Sequence, residues 1–169
     1  MENIRKNKRG SLASMAFYAI VIFFFAVCVL FGYKMAYEFN ANIQADANMP
    51  ATAKAATSQL TGYFPGVMDR VMLFLVVGLA IVTIILAALV RVHPIFLVLF
   101  LIGLIFIIYF SAIFSNVYDD MALDSNLATQ ANNLPFISFV MRGLPFIVGV
   151  FGFLLMIIMY KVWQIDTGP

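Results

Sequence analysis

The sequence predicts an all-α integral membrane protein with four transmembrane helices, the first of them extended beyond the bilayer. Composition is the first reason. Of 169 residues, 64% are apolar and 11% are charged, with a mean hydropathy of +1.01. A soluble domain is about 45–50% apolar and about 25% charged, so this chain needs lipid as its solvent. The second reason is run length. Residues 71–90 and 95–114 are uncharged stretches of twenty, and about 20 helical residues cross a hydrocarbon core of ~30 Å. Only Arg91-Val92-His93-Pro94 lies between them, enough for a tight turn, so the pair reads as a transmembrane hairpin. Third, backbone groups in lipid must be satisfied within the segment or in a closed barrel. The apolar runs are continuous rather than alternating, which removes the barrel.

Taken in order, residues 1–13 form a basic tail with Arg5, Lys6, Lys8 and Arg9 against Glu2. Residues 15–33 are uncharged, longer than the about 7–15 apolar residues of a signal peptide, so an uncleaved anchor is expected. The first helix is read over 14–47: Lys34 and Glu38 form an i, i+4 pair past the lipid edge, Tyr33 and Tyr37 suit the headgroup belt, and Pro50 breaks the helix. The single cysteine, Cys28, is expected as a small core residue.

Residues 48–65 read as a polar loop with a short alanine-rich helix over 51–60, ended by Thr61-Gly62 and Pro65. The hairpin then covers 66–120. Asp69 falls in the first turns of its helix, where the dipole favours a carboxylate, and Pro94 opens the other arm, where its missing N–H costs no helical bond. The last turns of that arm, 115–120, are expected to stand in water. Residues 121–144 are a polar loop and an interfacial segment. Within them Leu134-Pro135-Phe136-Ile137 recurs as Leu144-Pro145-Phe146-Ile147, and each proline suits the first turn of a helix. Two readings follow: a short segment over 135–142 before a fourth span over 145–161, or one kinked helix. Residues 162–169 are a tail with Trp163 as an interfacial anchor.

Four spans put both termini on one side, together with Arg5, Lys6, Lys8, Arg9, Arg91 and Lys161. The other side holds Lys34, Lys54, Arg70 and Arg142 among six acids. Counting Lys and Arg near the span ends places both termini in the cytoplasm.

No Asp, Glu, Lys, Arg or His falls at mid-span, where such groups mark transport or catalysis. The hydroxyls of Thr83, Ser111 and Ser138 are expected to bond to helix carbonyls. His93 sits in a turn with no nucleophile or orienting partner in the sequence around it. Asp119, Asp120 and Asp124 lack the alternation and glycine of a calcium loop. No catalytic, metal-binding or cofactor-binding residue is therefore assigned, and neither nucleic acid nor a small-molecule substrate is expected. The site prediction is structural: Arg142 is expected to pair with Asp119, Asp120, Asp124 or Asp69 and tie the last two helices together. Small residues Gly78, Ala80, Ala87, Ala88, Gly103, Gly149 and Gly152 suit close helix approach.

The basic start and single anchor, Asp69-Arg70…Arg91-Val92-His93-Pro94, the helix end Phe114-Ser115-Asn116-Val117-Tyr118, and Leu144-Pro145 opening a last span together resemble the small four-helix membrane proteins of tailless icosahedral phages with an internal membrane. The resemblance implies a host inner-membrane and virion-membrane location. It also implies a role fixing lipid to the capsid or to neighbouring membrane proteins, with contacts made by the loops before the second and fourth spans. The function expected is a non-enzymatic structural membrane protein that assembles with the bilayer, copies of itself, or membrane and capsid partners. A holin-like or channel-forming subunit is the second class, and an accessory subunit of a larger membrane complex the third.

Overall fold

The structure, a computed structural model, describes residues 10–89 and 94–167. Arg5, Lys6, Lys8, Arg9, Arg91 and His93 lie outside the described residues. The protein is 91% helical with no strands among the described residues. The described residues form six helices in order: α1 Gly10–Ala45, α2 Ala51–Leu89, α3 Pro94–Leu123, α4 Ala128–Asn132, α5 Pro135–Arg142 and α6 Leu144–Thr167. Four of them, α1, α2, α3 and α6, are long and apolar enough to cross a membrane. This is a multi-pass membrane protein.

Prolines set most of the boundaries. Pro50 stands just before α2 and its carbonyl accepts from the N–H groups of Ala53 and Lys54. Pro94 and Pro135 are the first residues of α3 and α5, and Pro145 is the second of α6. Each occupies the turn in which a missing N–H breaks nothing. Gly143 separates α5 from α6, so the 135–160 region is two helices rather than one kinked helix.

Pro65 departs from expectation. It does not break the chain but lies inside α2, which runs unbroken for 39 residues. An interior proline costs about 3 kcal/mol or more, and packing along α1 offsets it. Tyr33 of α1 stacks on Phe64 at 5.5 Å between ring centroids, and Thr61 is buried. The alanine-rich segment is thus the first third of α2, not a separate short helix.

At 1.5 Å per residue, α1 with its 36 residues and α2 with its 39 are roughly 54 and 58 Å long. Both exceed the ~30 Å hydrocarbon core. They run antiparallel into a hairpin that stands beyond the bilayer at the distal end, away from where α1 begins and α6 ends. The tip is tied both ways: the Gln44 side chain donates to the Lys54 carbonyl at 2.7 Å, and Lys54 Nζ donates to the Gln44 carbonyl at 3.0 Å. Asp46 accepts from the Asn48 N–H at 2.9 Å and shapes the turn.

α3 packs along α6, and glycine allows the approach. A Cβ at Gly152 would collide with the Leu104 side chain, and one at Gly149 would touch Ile108 at 3.6 Å. Gly78 has open space around it, so it serves no close packing among the described residues. Cys28 is exposed on α1, a correction to its expected core position. The sequence offered no face to place it on, because α1 is apolar nearly all round.

Candidate functional site

Polar chemistry in this protein gathers at the distal collar, where α2, α3, α4, α5 and the start of α6 meet. The collar is assembled from the short helix α5. Its N-terminus has Leu134 at the cap position, which offers no side-chain oxygen, and Pro135 next. The first free N–H groups are therefore those of Phe136 and Ile137. Asp69 of α2 accepts from both, at 3.2 Å and 3.1 Å. A carboxylate over the first turn satisfies orphan donors and complements the helix dipole. Asp69 thus does not sit in the first turns of its own helix, as expected; α2 begins 18 residues earlier, at Ala51. It caps α5 instead.

The other end of α5 is fastened to α3. Arg142 Nε donates to Asp119 Oδ1 at 2.7 Å, and Ser115 Oγ donates to the Arg142 carbonyl at 3.1 Å. Of the four acids weighed as partners for Arg142, Asp119 is the one that meets it. Asp124 turns the chain after α3 by accepting from the Asn126 N–H at 2.8 Å, and Asp120 is exposed. Lys34 and Glu38 form their i, i+4 pair at 3.5 Å. Lys161 is exposed on α6.

Between these two fastenings lies a buried relay. Ser138 donates to the Ala131 carbonyl at 3.0 Å. Its one hydroxyl hydrogen is then committed, so the Tyr118 hydroxyl, 3.2 Å away, is the donor to Ser138. Tyr118 is fully buried and Ser115 nearly so, so one face of the end of α3, expected to stand in water, is covered, while Asn116, Val117 and Asp120 are exposed. α4 and α5 fold over it. Asn133 Nδ2 donates to the Tyr33 hydroxyl at 3.3 Å and brings α1 into the same network. Gln130 is buried, and its Oε1 has no hydrogen-bond partner among the described residues.

Within the spans the hydroxyls are spent locally. Thr83 donates to the Leu79 carbonyl at 2.6 Å and Ser111 to the Ile107 carbonyl at 2.8 Å. Thr83 also lines an apolar recess of about 60 Å³ between α1, α2 and α6, with Tyr18, Ile22, Leu79, Ile147 and Phe151. Among the described residues, no three His, Cys, Asp or Glu side chains converge as a metal site would need.

Sequence reasoning missed Asp69 as a cap and Tyr118 as a buried donor. A signal for the first was present: a Leu-Pro helix start without Ser, Thr, Asp or Asn must take its cap from elsewhere. The chain matches no protein-family model, no curated protein and no solved structure.

Proposed function

We propose that this protein is a structural, non-enzymatic membrane component that works by assembling with partners or with copies of itself. The observation that carries the reading is the α1–α2 hairpin. It rises beyond the bilayer and carries large apolar side chains into water: Met35 is 71% exposed, Phe39 60%, Leu60 72% and Tyr63 66%. Exposed apolar surface of this kind on a polar-rimmed body marks an interaction site. The collar supports the same reading. Asp69, Asp119, Arg142, Ser115, Tyr118 and Ser138 each fasten one element to another, so their chemistry holds the hairpin and collar as one body.

The resemblance to small membrane proteins of internal-membrane phages supplies a setting in which such a body is useful. Lipid lies beneath a protein shell there, and a membrane protein that assembles with its neighbours helps to hold the two together. In this reading both termini and the Arg91 turn stay on the cytoplasmic side. A pore-forming reading asks for polar groups along a lumen, whereas the span hydroxyls of Thr83 and Ser111 are turned back onto their own helices.

The test is purification of the full chain in mild detergent, with mass spectrometry of what accompanies it. The expected result is stoichiometric recovery of a partner or a defined oligomer. A lone monomer from the native membrane, or loss of membrane potential on expression by itself, would overturn the reading.

A further inference from the structure

α2 and α3 change from apolar to charged at one height: Asp69 and Arg70 on α2, Asp119 on α3, with Arg142 joined to Asp119. Tyr33 stacked on Phe64 and Phe23 stacked on Phe114 set the register. By that register the charged height meets α1 near Cys28. α1 ignores the boundary, for it has no charge before Lys34. Its inner face has a reason, since Ala26, Leu30 and Tyr33 are buried against the bundle. Its outward face has none within the chain.

That outward face is a seam. Phe17, Phe24, Cys28, Phe31, Met35 and Phe39 are all exposed. At 3.6 residues per turn they fall within an arc of about 80° and run roughly 33 Å along α1. Lipid covers the proximal part. Met35 and Phe39 stand roughly 10 and 16 Å beyond the level of Cys28, past the charged collar, where lipid chains do not reach.

We infer that the seam is a dimer interface, covered by α1 of a second copy standing parallel in the same membrane. This rests on the reading of the chain as an assembly protein. The occupant must be a helix rooted in the same bilayer that emerges on the same side and stays apolar past the headgroups. α1 of another copy meets every condition, and a two-fold axis makes the surface self-complementary. Steps of three and four residues from Phe24 to Met35 are those of a left-handed helix crossing. The area is sufficient. A large aromatic side chain buries about 150–250 Å², so the four phenylalanines, exposed at 46–62%, together with Met35 at 71%, offer roughly 450–700 Å² per copy. A stable interface takes about 800 Å² per partner, and neighbouring side chains make up the remainder.

Oxidative cross-linking of the full-length protein in native membranes, with copper phenanthroline as oxidant, tests this. Native Cys28 is expected to give a covalent dimer without any substitution. In a Cys28→Ser background, Met35→Cys is expected to restore the dimer. Tyr37→Cys, exposed but on the far side of α1, is expected to give at least tenfold less. Equal yields from Met35→Cys and Tyr37→Cys, or no dimer from Cys28 and Met35→Cys alike, would overturn the seam. If a different protein still co-purifies after that outcome, the assembly reading stands and the dimer alone falls; if nothing does, both fall.

Discussion

In the most apolar window of α2 only 11% of residues are buried inside the protein, whereas at the collar Tyr118, Leu134, Ile137, Met141 and Leu144 are all completely enclosed. The two regions answer to different solvents. A lipid-facing Phe74 or Ile81 loses nothing by exposure, because acyl chains are as apolar as a core. Helix association there comes from close packing rather than from hydrophobic burial, as at Gly149 and Gly152. Beyond the hydrocarbon, apolar groups must be covered, and α4 and α5 do this for the end of α3. Backbone groups of so short a helix as α5 then need named partners, which Asp69 and Ser115 supply. The spans fix position in the membrane, and the collar fixes how the spans stand to one another.

Substitutions separate the two regions. The largest effect is expected at Asp69→Ala, which orphans two partly buried N–H groups bonded to a charged acceptor. A loss of about 1.5–3 kcal/mol should appear as a lowered unfolding midpoint in detergent. Gly152→Val drives a side chain into Leu104 and should cost about 1–3 kcal/mol. Gly78→Ala, with open space around it, should leave the midpoint unchanged or raise it. If the two glycines behaved alike, the packing account of α3 on α6 would fail. Tyr118→Phe removes one buried donor and should cost about 0.5–1.5 kcal/mol. Of the collar substitutions Arg142→Ala should cost least, about 0–1 kcal/mol, because its side chain is 55% exposed and that of Asp119 36%. A midpoint that fell further for Arg142→Ala than for Asp69→Ala would reverse the assignment of which contact holds α5.

Legibility in the sequence followed the range of the interaction. Charge-free runs and the prolines at 50, 94, 135 and 145 are local signals, and the helices respect them. Pro65 carries the same local signal, but stacking of Tyr33 on Phe64 from another helix overrides it. Asp69 meets its partners across 67 and 68 positions, a relation that no periodicity encodes. The burial of Tyr118 likewise depends on α4 and α5 folding back over α3. Arg142 was identifiable because it is the one charge close to the start of the last span, but the choice among four acids needed the fold.

Amide hydrogen exchange of the full chain in lipid nanodiscs tests the collar most directly, read at Phe136 and Ile137. Asp69 capping predicts slow exchange at both amides in the native protein. It also predicts acceleration of at least tenfold in Asp69→Ala, with α2 from Met72 onward unchanged. Fast exchange at both amides in the native protein, or protection untouched by Asp69→Ala, would contradict a collar fastened through that carboxylate.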